Sequence, residues 1–154
     1  MGRFTLRQTA NQVRRWSEVL AEKTGFDYDL CGFCAIASAK LFLALKAQGR
    51  KPKLKVSERK GMYSHVFVVC EDNPGDGKWK LLDITSSQFG GPKVVCRAFI
   101  ESRPGKHYWK AKRTYSRLKE FKMTGWPKEQ KYAQYSPWFD WTPDQLAQEN
   151  LPVF

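Results

Sequence analysis

Histidine is scarce in this 154-residue chain, which holds only His65 and His107. Any histidine-based proton transfer or metal ligation therefore has two positions to use. Cysteine is nearly as sparse. Cys31, Cys34, Cys70 and Cys96 are too few for a disulfide-stapled scaffold, and the expectation is a reduced, cytoplasmic protein. No apolar run approaches the roughly 20 residues that a membrane helix needs. The longest candidate, residues 35 to 45, is interrupted by Ser38 and Lys40 and reads as a core helix, so no membrane partner is expected. The start, Met1-Gly2-Arg3-Phe4-Thr5-Leu6, runs into polar sequence without a leader-like apolar stretch, and Leu6 breaks the myristoylation pattern. Internal repeats and low-complexity tracts are absent. From Tyr132 to the end there is no Lys or Arg.

What is present is basic and aromatic. The net charge is +12 and aromatic residues make up 14% of the chain. Charge of that sign suits an acidic protein, an anionic surface or nucleic acid. The length suits one domain, residues 1–154, with a proper core.

Residues 6 to 24 have the period of an amphipathic helix. Val13, Trp16, Val19 and Leu20 share a face, with Arg14, Arg15, Glu18 and Glu22 largely outside it. A loop follows, and then a small and apolar helix with a cysteine in its first turn and Gly49 as its stop. A thiol at a helix N-terminus meets unpaired N–H groups and the positive end of the dipole, which favour the thiolate. Residues 50 to 56 alternate around Leu54 and Val56 and read as a short, lysine-rich edge strand. Ser64 to Cys70 is a β-branched strand. Asn73-Pro74-Gly75-Asp76-Gly77 is a turn, and Trp79 to Ile84 a second strand that closes an antiparallel hairpin. Residues 86 to 92 read as loop and 94 to 100 as one more strand. Residues 106 to 122 hold seven Lys or Arg and one Glu among Tyr108, Trp109, Tyr115, Leu118 and Phe121, with helix expected after 110. The last part, around Trp138, Phe139, Asp140 and Trp141, is acidic and aromatic. It reads as an extension, within 104–154, that packs back on the domain.

A cysteine nucleophile needs a base, and the base needs a third group to fix its tautomer. His65 opens the best strand in the chain, and Asp83 lies near the end of the next. The hairpin register makes them neighbours at one end. Packing that end against the start of the cysteine helix brings Cys34, His65 and Asp83 together.

Three motifs carry a resemblance to the transglutaminase-like cysteine enzymes, a branch of the papain-like architecture. Gly32-Phe33-Cys34 leads an apolar helix that closes at Gly49. Ser64-His65-Val66-Phe67-Val68 is similar to the family's histidine at a strand start. Trp79-Lys80-Leu81-Leu82-Asp83-Ile84-Thr85 is similar to the family's Trp-x-x-x-Asp-Pro-Thr, with Ile84 in place of proline. The resemblance covers roughly residues 30 to 90. It implies an α+β, papain/transglutaminase-like fold in which the cysteine helix packs on a small antiparallel sheet. It also implies Cys34 as nucleophile, His65 as general acid and base, and Asp83 as the group that orients it. The distance back from Gly49 selects Cys34 over Cys31 in that pattern. The implied chemistry is acyl transfer on an amide of a protein or peptide, through a thioester, with no cofactor and no metal. Hydrolysis or deamidation is favoured over transglutaminase cross-linking. The backbone N–H of Cys34 would belong to the oxyanion hole, with Tyr28 and Gln88 as side-chain candidates.

Other readings compete. Cys31-x-x-Cys34 at a helix start also looks like a thioredoxin-type redox motif, although that fold needs a strand where residues before Cys31 read as helix and loop. Cys31, Cys34, Cys70 and His65 offer zinc-ligand chemistry but without close spacing for a second pair. Cys70 and Cys96 read as core residues, and His107 as solvated or stacking. The basic, aromatic segments suit single-stranded nucleic acid as a secondary partner, or as the main one in a non-enzymatic protein. A triad can also persist in a fold without its chemistry.

Overall fold

The computed structural model describes residues 4–24, 34–59 and 62–118. Helix α1 spans Leu6–Thr24. Its start is set by a reciprocal cap: the Gln8 N–H donates to Thr5 Oγ1 (3.1 Å), and the Thr5 N–H to Gln8 Oε1 (2.8 Å). Helix α2 spans Cys34–Ala47 and buries nearly every side chain of its first two turns. It stops at Gly49, which takes φ +80°. The Gly49 and Arg50 amides fold back on the carbonyls of Lys46 and Leu45, a Schellman closure that glycine makes cheap.

Strands β1 (Lys53–Arg59), β2 (Met62–Glu71), β3 (Trp79–Asp83), β4 (Val95–Ala98) and β5 (Arg113–Tyr115) form an antiparallel sheet in the order β4-β3-β2-β1-β5. Alternation divides their side chains between two layers. Leu54, Val56, Val66, Val68, Cys70 and Leu82 face the helices and merge with Leu20, Leu41 and Phe42 in one core. Phe67, Val69 and Leu81 face the other way and are covered by Trp109, with Phe99 and Tyr108 beside them. The connection from β4 to β5 supplies that cover. It crosses from one edge of the sheet to the other, and its residues 99–111 form a strap over the outer face. The architecture is α+β.

The structure differs from the sequence reading in four places. β1 is not an edge strand, because β5 pairs with Leu54, Lys55 and Val56 on its far side. The lysines that suggested an edge alternate onto the outer face, where Lys55 is buried against Thr114 of β5. Residues 111–118 are not α-helical: Lys112 donates to the Val56 carbonyl (2.8 Å), and Arg113–Tyr115 form strand. The β-forming Thr114 and Tyr115 meet a ready ladder there, and tertiary pairing overrides helix propensity. Arg14 does not lie outside the apolar face of α1 but is 2% exposed, donating from Nη1 to the Ile84 carbonyl (2.8 Å) and Ser87 Oγ (2.9 Å). Residues 86–89 of the expected loop form a 3-10 turn. The Cys31-Gly32-Phe33 segment, Tyr28, the basic stretch beyond 118 and the acidic, aromatic tail lie outside the described residues.

Phe42 is 1% exposed at the centre of the helix-side core. Phe42→Ala should lower the unfolding free energy by about 3–5 kcal/mol, read as a shift of the urea midpoint with an unchanged slope.

Candidate active site

The site stands where α2 begins and β2 and β3 meet. Ser38 Oγ donates to the Val66 carbonyl (3.0 Å) and ties α2 to β2. Cys34 is one turn earlier on the same helix, about 6 Å along its axis, toward the His65 end of the strand. The ladder between β1 and β2 pairs Ser57 with His65 but Glu58 with Tyr63, so Ser64 is an extra, bulged residue. Bulges re-aim the side chains beside them. The β2–β3 register pairs Val68 with Leu82; continued, it makes His65 and Asp83 diagonal neighbours on the outer face.

His65 Nε2 and Asp83 Oδ2 are 2.7 Å apart, and both residues are essentially inaccessible. The carboxylate is held on every side. The Trp109 indole donates to Oδ2 (2.8 Å), and the Thr85 N–H to Oδ1 (2.9 Å). The Gln88 amide reaches His65 Nδ1 (3.2 Å) and Thr85 Oγ1 (3.3 Å). The amide serves both states of the ring: its NH₂ donates to a neutral Nδ1, and after a half-turn its oxygen accepts from Nδ1–H. Arg14, through Ile84 and Ser87, holds the loop that carries Thr85 and Gln88.

Electrostatics fixes the resident state. Burial opposes a charge on His65, but the Asp83 carboxylate, by its charge and its hydrogen bond, overrides that opposition. A hydrogen bond and charge from Cys34 add to the same side, and the ring is pushed up from 6.5 to about 10. Burial alone would raise Asp83. The His65 cation and the His65, Trp109 and Thr85 hydrogen bonds instead hold its carboxyl below the ordinary range. At neutral pH the pair is an imidazolium and a carboxylate. The Cys34 side chain interacts with that cation.

Aromatic rings cover the pair. Phe89 and Tyr108 stack on each other (4.2 Å between centroids) and each meets the His65 ring edge-on, at 5.0 and 5.6 Å. Phe89 is 43% exposed, whereas Cys34 is 2% exposed. The cover is therefore thin on the side of Phe89.

Of the residues singled out in the sequence, Cys34, His65 and Asp83 come together. Gln88, weighed there as an oxyanion donor, is engaged with His65 and Thr85, and Tyr28 and Cys31 lie outside the described residues. His107 is exposed and stacks edge-on with Tyr108 (5.2 Å). Cys70 is in the core, and burial raises the thiol of the half-buried Cys96. No cluster of three or more metal-ligating side chains occurs among the described residues. Trp109 and Arg14 carried no site role in the sequence, and Thr85 entered only as the last residue of the third motif. Trp109 gave one usable signal: a tryptophan in a basic stretch that buries its ring must find an acceptor for its N–H. No protein-family model, no curated protein and no solved structure matches the chain.

Because the folded ring binds its proton more tightly than the unfolded one, its stabilising contribution is full below pH 6.5 and is lost as pH rises toward about 10. The Asp83 contribution has the opposite sense: it is present above the ordinary carboxylate range and is lost as pH falls through its lowered value. The stability difference between wild type and a His65→Gln/Asp83→Asn double variant should therefore be largest near about pH 5–6.5 and shrink steadily toward about pH 10 in urea titrations. A difference independent of pH would show that the pair is not ionised.

Proposed function

We propose that this protein is a cysteine-dependent acyl-transfer enzyme acting on amides of proteins or peptides, with a papain/transglutaminase-like Cys34–His65–Asp83 triad. The observation that carries the reading is the buried 2.7 Å contact between His65 Nε2 and Asp83, on a ring that also interacts with Cys34 at the first position of α2. Nε2 is engaged by Asp83 and Nδ1 is met by the Gln88 amide at 3.2 Å, so the thiol shares Nδ1 with that amide.

The steps follow from those positions. The Cys34 thiolate, paired with the imidazolium, attacks the amide carbonyl. The developing oxyanion meets the Cys34 backbone N–H, which as the first residue of α2 has no intrahelical acceptor. The imidazolium gives its proton to the leaving amine and a thioester remains. The neutral ring then takes a proton from water as that water attacks the thioester, and the acid and the thiolate are released. Asp83 keeps Nε2 oriented throughout and offsets the charge on the ring. An amine in place of water would give cross-linking. Hydrolysis or deamidation is the outcome we favour.

Alkylation read by peptide mass spectrometry tests this directly. At pH 7 Cys34 should react ahead of Cys70 and Cys96, and His65→Ala should slow it by about tenfold or more through loss of the ring beside the sulfur. Cys34→Ala should keep the fold and lower acyl transfer by about a thousandfold or more. Cys34 reactivity that ignores His65 would sink the triad.

A further inference from the structure

A cavity of about 200 Å³ opens on the outer face of the sheet, at the end away from His65, lined by Lys53, Lys55, Val69, Trp79, Phe99 and Glu101. Lys53 and Lys55 are two residues apart on β1, so both leave the same face, about 7 Å apart. The Lys55 side chain is 7% exposed, and its ammonium donates to Glu101 Oε1 and Thr114 Oγ1, both at 2.9 Å. Glu101 is 70% exposed. That pair is uneven. Lys55 has left water and needs an anion beside it. Glu101 is solvated and gains little from the contact. A second cavity, of about 260 Å³, shares Lys53 and includes Lys46 and Lys51, with no acidic side chain among the residues that line it. A chain with net charge +12 thus concentrates cations around the start of β1, where the carboxylate that answers the buried Lys55 is the exposed Glu101.

We infer that the Lys55 cavity binds a carboxylate side chain of an acidic peptide segment. Glu101 is the internal occupant that the incoming carboxylate displaces, and Lys46, Lys51 and Lys53 draw the acids that flank it. The Glu101 contact itself shows that a carboxylate satisfies Lys55. The rings favour this class over nucleic acid. Lys53 Nζ already sits 4.9 Å over Trp79, and Lys55 Nζ 5.8 Å over Phe99, so both rings are engaged by cations rather than offered for base stacking. Identifying the segment with part of the substrate rests on the acyl-transfer reading; the binding itself does not.

The test is fluorescence anisotropy of the full chain with a labelled octapeptide of alternating Glu and Gly, its Gln–Gly analogue, and an oligothymidylate of equal length. The acidic peptide should bind and the Gln analogue should not, and added salt should weaken the binding. Lys55→Met should weaken it by about tenfold or more, since a desolvated charge contact is lost. Glu101→Gln should tighten it by about threefold or more, because the competing carboxylate is gone. If Lys55→Met does not fold, Glu101→Gln and Lys53→Met decide, the latter with weakened binding expected. Binding unchanged by Lys55→Met, weakened by Glu101→Gln, or stronger for the oligothymidylate would each overturn the inference. Repeating the titration with Cys34→Ala separates the two proposals. Peptide binding retained there, with no His65-dependent alkylation in wild type, leaves the cavity standing and removes the enzyme; the converse removes only the cavity.

Discussion

The buried contact between His65 and Asp83 constrains much of this structure. A carboxylate and an imidazolium taken out of water are costly unless each finds partners in good geometry, and removing one partner leaves an uncompensated charge. Here the partners come from distant parts of the chain. Trp109 arrives from the strap and Thr85 and Gln88 from the turn after β3, which Arg14 of α1 holds in place. Helix, sheet and strap thus meet at one charged pair.

The order of the strands explains how the strap comes to be there. β4 and β5 lie at opposite edges of the sheet, so the chain between them must cross a face. The helices occupy one face, and the strap takes the other. That crossing brings Trp109 onto Phe67, Val69 and Leu81 and its indole onto Asp83. The same crossing brings Phe99 and Glu101 to the far end of the face, where they wall the basic cavity beside Lys53 and Lys55. Both ends of the outer face are therefore assembled by one connection. At one end a charge pair is sealed under aromatic rings, and at the other a buried ammonium meets an exposed acid, a hydroxyl and the face of Phe99.

The +12 net charge acts at long range, whereas the site acts at contact distance. Around the start of β1 the cations line two cavities. At His65 the cation is enclosed and its charge is offset by Asp83 at 2.7 Å. A strongly basic protein can in this way draw an acidic partner without its surface charge setting the protonation of the buried pair.

Local pattern was enough for much of the chain. The 3.6-residue period located α1, the apolar run closed by Gly49 located α2, the β-branched residues and the dense turn at 73–77 marked the β2–β3 hairpin, and the hairpin register brought His65 beside Asp83. Those features depend on neighbours in sequence, so sequence carries them. What tertiary structure decided involves partners far apart along the chain. Lysines at 53 and 55 read as an edge until β5, nearly sixty residues later, paired beside them. Residues after 110 read as helix, but an open ladder on β1 drew Arg113–Tyr115 into strand. Arg14 looked solvent-facing until the loop after Asp83 offered it a carbonyl and a hydroxyl. Trp109 had no local reason to meet Asp83. Sequence alone determined which residues form the pair and the helix that faces it; the long-range crossing of the strap decided how that pair is enclosed, because burial and hydrogen-bond satisfaction belong to the folded surface and not to any one segment.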